Sequence, residues 1–176
     1  GAHATEPEDY YLRLNTNGTR VDDTIWNDDK PDATTFNVFQ NYSKVNFLNE
    51  TYVAYCWHSI PGFSKFGRYV GGGTSFPFIN LGFKPRFIIV KRTDAAASWQ
   101  MRDTARDPYN EATHGGILAD VPNEEDAADR AFDITSNGFR PLVNHNSQNT
   151  DGGNYIYAAW AEAPFGGSDV AQAKAR

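Results

Sequence analysis

Two copies of one strand-like sequence lie in this chain of 176 residues, and this repeat constrains the fold more than any other feature. Residues 52–61 (YVAYCWHSIP) and residues 155–164 (YIYAAWAEAP) are 103 positions apart, with tyrosine, a β-branched residue, tryptophan and proline at the same offsets. Upstream, residues 36–38 (FNV) and 132–134 (FDI) are 96 positions apart. The second copy therefore has seven additional residues, which we place within residues 144–154. Repeated β units predict a β architecture and a binding or structural role.

The composition agrees with an all-β chain. Aromatic residues make up 14% of it, and 15 glycines and 9 prolines interrupt it at short intervals. Short alternating segments between turn residues predict a β-sandwich or jelly-roll-like fold with long loops and an internal pseudo-repeat. The predicted strands are 10–14, 36–39, 52–57, 63–69, 86–91, 98–102, 117–119, 132–135 and 155–161. We expect one helical turn within residues 123–131.

The repeat also predicts how the chain is organised. We expect a disordered or cleavage-scar segment at residues 1–9, a partial first repeat at 10–65, a complete second repeat at 66–165 and a polar tail at 166–176. A chain that starts inside one unit would leave a sheet edge open, which either upstream sequence or a neighbouring subunit could cover.

Both copies of the repeated strand are apolar on both faces, which is typical of a strand buried between two layers. We therefore expect Trp57 and Trp160 in the core, with a ligand platform or an oligomer interface as the alternatives. Cys56 is the only cysteine, so no internal disulfide can form, and its place within the strand predicts a buried thiol.

Charge and hydropathy exclude two classes of partner. The net charge is −6 and no stripe of lysine and arginine is present, which argues against nucleic-acid binding. The longest apolar runs, such as residues 87–90, are too short to span a bilayer, so we expect no membrane insertion.

Catalytic motifs are missing from the sequence. His58, His114 and His145 stand alone, without the spacing of a metal site, and the acidic residues 124–126 lack the pattern of a calcium loop. The glycines at 71–73 lack the lysine of a phosphate-binding loop. We expect no enzyme activity, metal or cofactor, although two carboxylates brought together by the fold could still hydrolyse a glycoside.

The most polar stretch, residues 144–154, is the candidate binding loop. Its amide groups suit sugar hydroxyls, and exposed aromatic rings supply a stacking surface, although a long loop without a ligand is the alternative. The candidate contacts are Trp26, Trp99, Tyr109, Asn144, His145, Asn146, Gln148, Asn149, Asp151 and Asn154. Deletion of residues 147–153 is then expected to abolish binding and to leave folding intact.

Several short motifs resemble a module of bacteriophage tail-fibre and receptor-binding proteins, and together they cover roughly residues 10–165. The motifs are Leu12-Arg13-Leu14-Asn15, Ile25-Trp26-Asn27-Asp28, Tyr52-Val53-Ala54-Tyr55-Cys56-Trp57, Gly62-Phe63-Ser64-Lys65-Phe66-Gly67, Gly82-Phe83-Lys84-Pro85, Val90-Lys91-Arg92-Thr93-Asp94, Ser136-Asn137-Gly138-Phe139 and residues 155–165. One departure is Trp57-His58, where residues like Phe-Ala are more usual.

The resemblance implies a location in the virion tail, a homotrimer with other tail proteins and attachment to a bacterial surface receptor, with polysaccharide the expected class. It supplies no catalytic or receptor-contact residue. The sequence therefore predicts a non-catalytic adhesion module, and the alternative is a structural fibre, collar or decoration domain with no receptor of its own. A polysaccharide depolymerase is a third hypothesis.

Overall fold

Ten β-strands and two short 3₁₀ turns make up the regular structure of the residues that the computed structural model describes, which are 6–106, 116–123, 125 and 130–163. The strands are β1 (Tyr10–Tyr11), β2 (Val21–Asp22), β3 (Ser64–Val70), β4 (Ile79–Asn80), β5 (Pro85–Arg92), β6 (Gln100–Asp103), β7 (Ile117–Leu118), β8 (Phe132–Thr135), β9 (Gly138–Pro141) and β10 (Asn154–Ala161). The chain divides into two units: the first comprises Gly1–Arg13 and Arg20–Trp57, and the second comprises Leu14–Thr19 and His58–Arg176.

A five-stranded antiparallel sheet dominates the second unit, with the strand order β3-β10-β5-β6-β7. Strand β10 lies second in this order and pairs with β3 along one edge and with β5 along the other. Its residues alternate in burial, because successive side chains point to opposite faces of the sheet. Tyr155, Tyr157, Ala159 and Ala161 point into the core, and the residues between them are half-buried.

A three-stranded sheet of order β4-β9-β8 packs against the five-stranded sheet. The apolar side chains of both sheets form one core. The small sheet and the segment after β4 contribute Leu81, Phe83, Phe132 and Phe139, and the large sheet contributes Ile88 and Val90 from β5 together with the inward face of β10. The predicted all-β, sandwich-type fold is therefore confirmed.

The first unit has little regular structure. Strands β1 and β2 form a two-residue pair, and 3₁₀ turns occupy Pro7–Asp9 and Thr24–Trp26. A polar cluster joins its segments: the Lys44 ammonium donates to Asp23 Oδ2 at 2.7 Å and to the Tyr11 hydroxyl at 2.9 Å, and the Tyr42 hydroxyl donates to Asp23 Oδ1 at 2.7 Å. The hydrogen bond from Lys44 is the main reason that the pKa of Asp23 lies below its usual value.

Several predicted strands are confirmed, namely those at 63–69, 86–91, 98–102, 117–119, 132–135 and 155–161, each within a few residues. The predicted strand at 10–14 is reduced to β1. Most of the predicted helical turn at 123–131, and all of the predicted tail at 166–176, lie outside the described residues. The domain boundaries predicted from the repeat stay a prediction.

The first copy of the repeat is where the prediction is wrong. Residues 52–57 and 36–39 form no strand, and Trp57 and Cys56 are exposed rather than buried. The matching Trp160 is half-buried, with its ring between those of Phe66 and Phe87. Whether a sequence forms a strand depends on the strands beside it. The signature forms a strand at β10, which pairs with β3 and β5, and none at residues 52–57.

Candidate functional site

The predicted binding loop, residues 144–154, is anchored in the second unit by three consecutive buried side chains. Gln148 donates from Nε2 to the Ala131 carbonyl at 3.0 Å. Asn149 Oδ1 accepts the Gly72 N–H at 2.9 Å, and its Nδ2 donates to the Gly73 carbonyl at 2.8 Å. Ser147 Oγ accepts from Gln100 Nε2 at 3.0 Å.

The expectation that Gln148 and Asn149 contact a ligand is therefore wrong, because neither side chain reaches the surface. Their amide groups pair with backbone groups of Gly72, Gly73 and Ala131. Buried backbone groups outside a sheet need such side-chain partners. Deletion of residues 147–153 would remove these buried bonds. It would therefore test folding rather than binding.

The glycines at 71–73 serve close packing of this loop. The Gly71 N–H donates to the Gly153 carbonyl at 2.8 Å, and the Gly152 N–H donates back to Gly71 at 3.0 Å. A Cβ atom on Gly71 would lie 2.2 Å from the Thr150 carbonyl oxygen, so no larger residue fits there. The glycine triplet thus forms a tightly packed junction.

A polar network holds the loop at Asn146 and Asn154, on either side of the buried residues 147–149. Arg92 donates from Nε to Asp94 Oδ1 at 2.7 Å and from Nη1 to Asn146 Oδ1. Asn154 donates to Asp94 Oδ2 from its backbone at 3.0 Å and from its side chain at 3.1 Å. Burial raises the pKa of Asp94, but the hydrogen bonds from Arg92 and Asn154 outweigh it and hold this pKa below its usual value. Asn146 and Asn154 are therefore already engaged within the protein.

The exposed residues of this region include Val70, Thr74, Phe76 and Asp151, which we together call the loop face. Asp151 lies over Gly73, where an added Cβ would be 3.1 Å from the Asp151 Cβ. The Ser75 carbonyl next to Phe76 accepts from Asn149 Nδ2 at 3.3 Å, which joins the two loops. The loop face thus presents an exposed apolar ring and exposed polar groups on loops that hydrogen bonds join.

Sequence reasoning missed Phe76 as the aromatic residue beside the loop. The sequence feature that could have identified it is a phenylalanine between turn residues, in Gly73-Thr74-Ser75-Phe76-Pro77. A phenylalanine within a turn does not belong to a strand whose side chains would bury its ring. The remaining predicted contacts are Asn144, which is exposed, and His145, whose Nδ1 lies 2.7 Å from Ser147 Oγ.

The predicted aromatic contacts differ in their settings. Trp26 belongs to the first unit, where its Nε1 donates to the Tyr10 carbonyl at 3.0 Å and its ring meets Phe36 edge-on. Trp99 is half-buried in the second unit, and its backbone N–H donates to Asp120 Oδ1 at 2.9 Å. Tyr109 lies outside the described residues.

An open, mainly apolar cavity of about 680 Å³ lies within the first unit. Its apolar lining includes Trp26, Phe36, Val38, Val45, Tyr52, Val53, Ala54, Tyr55 and Cys56. Glu8 also lines it: Oε1 pairs with Lys30 Nζ at 3.4 Å, while the buried Oε2 has no hydrogen-bond partner among the described residues. A buried carboxylate oxygen without a donor is costly, so this cavity is incomplete as it stands.

No group of three or more His, Cys, Asp or Glu side chains with metal-binding geometry occurs among the described residues. In the same part of the chain, no helix is both long and apolar enough to cross a membrane.

The fold and the loop face define an all-β, sandwich-type domain that carries its loops on a rigid framework. The chain belongs to the family described as Domain of unknown function (DUF7483), whose model matches residues 2–164. No curated protein and no solved structure is similar to it.

Proposed function

We propose that this chain is a non-catalytic tail-fibre module of a tailed bacteriophage that attaches the virion to a bacterial surface polysaccharide. The motifs shared with tail-fibre modules support the location, and the loop face supports the binding role. The observation that carries the proposal is that the loop face exposes Phe76, Asp151 and Thr74 on loops held by buried hydrogen bonds.

This arrangement suits a sugar for two reasons. A phenyl ring can stack on the apolar face of a pyranose, and the carboxylate and hydroxyl groups of Asp151 and Thr74 can bond its hydroxyls. Because Asn149 holds the loops in place, little ordering entropy is lost on binding. Each contact remains weak, and a homotrimer of the chain would convert weak single sites into firm attachment.

A structural role without a receptor is the second candidate. The exposed apolar residues of the first unit favour it, since such a surface suits contacts with other virion proteins. Under this hypothesis the loop face would be an ordinary solvated surface.

The two candidates are separated by binding of the purified chain to immobilised cell-surface polysaccharide from candidate hosts. The double variant Phe76→Ala/Asp151→Ala removes the ring and the carboxylate, and both substituted residues are exposed. We expect it to lose most of the binding, while Arg140→Ala, an exposed substitution on β9, keeps it. Equal binding by both variants, or none by the unaltered chain on any polysaccharide, would favour the structural role.

A further inference from the structure

Residues 52–57 combine a strand sequence with an exposed position. Val53, Tyr55 and Trp57 are 77%, 75% and 62% exposed, and the last two rings stack on each other at a centroid distance of 6.1 Å. Such a continuous apolar stretch is unusual on the surface of a soluble chain. It indicates a surface that is covered in the working assembly.

The second copy of the same signature shows what this sequence needs. Strand β10 is hydrogen bonded on both edges, and one of its faces is buried. In contrast, the backbone N–H and C=O groups of residues 52–56, all of which are described, make no hydrogen bond. Residues 52–56 therefore have the side chains of a central strand and the free backbone groups of an edge strand.

The cavity of the first unit adjoins this segment, since residues 52–56 form part of its wall. An occupant that completes it must supply apolar side chains, backbone groups that pair with a strand, and a donor for Glu8 Oε2. A polypeptide in an extended conformation supplies all three. A glycan would leave the strand edge and the apolar wall largely unmatched.

We propose that a second copy of this chain covers this surface, so that residues 52–57 and the adjoining cavity form an interface between copies. Each copy brings the same apolar segment, in which residues 52–56 have free backbone groups, so the surface is complementary to itself. Residues 51–61 contain no Asp, Glu, Lys or Arg, so no like charges meet at the segment although each chain has a net charge of −6.

The exposed apolar area is large enough for such an interface. From their exposed fractions, Tyr52, Val53, Tyr55 and Trp57 together expose roughly 500 Å². Phe36 lies on the cavity wall, and Phe47 and Leu48 lie beside Tyr52, whose hydroxyl accepts the Phe47 N–H. Phe36, Phe47 and Leu48 together expose roughly 300 Å² more. The total is comparable to the roughly 800 Å² per partner that a standard stable interface buries.

The mass of the chain in solution tests the proposal, measured by light scattering over a wide dilution series. We expect the unaltered chain to have a mass of at least twice 19.6 kDa, and the double variant Val53→Asp/Tyr55→Asp to have the monomer mass of 19.6 kDa. Both substituted side chains are exposed, so the change should not unfold the unit. Leu14→Asp, an exposed substitution in the second unit, is the matched control and should keep the multiple mass.

Cys56 provides an independent measure, because it is the only thiol and lies in the segment. We expect a thiol reagent to label it slowly in the assembled chain and quickly in Val53→Asp/Tyr55→Asp. A monomeric mass for the unaltered chain at every concentration would overturn the proposal. So would a multiple mass that the double variant leaves unchanged, or equal labelling rates in the two proteins.

Discussion

The side chain of Lys91 is fully buried on β5, and this makes stability depend on pH in a defined direction. Its Nζ donates to the Arg92 carbonyl at 2.6 Å and to the Asn17 carbonyl at 3.3 Å. Burial lowers the pKa of Lys91 from 10.5 to about 8, although Asp120 acts in the opposite direction. The folded protein therefore releases this proton at a lower pH than the unfolded chain does.

The free energy of unfolding should consequently rise with pH between about 8 and 10.5, because the unfolded chain binds more protons there. Below pH 8 both states are protonated and the folded state bears the full cost of the buried charge, about 3 kcal/mol for this difference in pKa. About 2.5 kcal/mol of that cost should disappear between pH 7 and pH 10.

The assay is denaturant unfolding at a series of pH values for the unaltered chain and for Lys91→Met, which keeps the length of the side chain without its charge. Burial raises the pKa of Tyr155 and Tyr157, so tyrosine ionisation lowers stability above about pH 10 in both proteins. Comparing the two proteins at each pH cancels that effect. A stability difference that stays constant from pH 7 to pH 10 would refute the reasoning about Lys91.

Three further predictions concern the loops of the second unit and are checked by the same unfolding measurements. Gly71→Ala should destabilise the protein by about 2 kcal/mol or more, because the added Cβ meets the Thr150 carbonyl. Gly18→Ala, whose added Cβ would make an ordinary contact with Thr16 Oγ1 at 3.7 Å, should change stability by less than about 0.5 kcal/mol, and equal effects would contradict the packing argument. Asn149→Ala should cost about 2–3 kcal/mol by leaving the Gly72 N–H and Gly73 carbonyl unpaired, and a neutral result would show that water replaces them. Asn144→Ala, an exposed change in the same loop, should alter stability by less than about 0.5 kcal/mol, and a larger loss would mean that this end of the loop is also anchored.

Local alternation and turn residues were sufficient to predict most of the second unit. Strand β10 forms where its sequence predicts a strand, although only one of its two faces is fully buried. The hairpin of β5 and β6 follows from two predicted strands separated by a short turn. These elements are predictable because their side chains and their neighbours favour the same structure.

The first unit and the loop could not be predicted in the same way. Residues 52–57 carry a strand signature, but whether they form a strand depends on neighbours that local sequence does not specify. Gln148, Asn149 and Lys91 belong to types that are mostly exposed, and their burial follows from backbone groups that only the folded chain brings within reach. Phe76 was missed because an isolated phenylalanine in a turn has no periodicity.

The proposal that the chain attaches to bacterial polysaccharide is tested most directly by its adsorption to host cells before and after mild periodate oxidation, which cleaves vicinal diols in glycans and leaves most of the surface protein intact. Cells treated in parallel with protease serve as the control. We predict that adsorption is lost after periodate and survives protease. Adsorption that survives periodate and is lost after protease would contradict a glycan receptor.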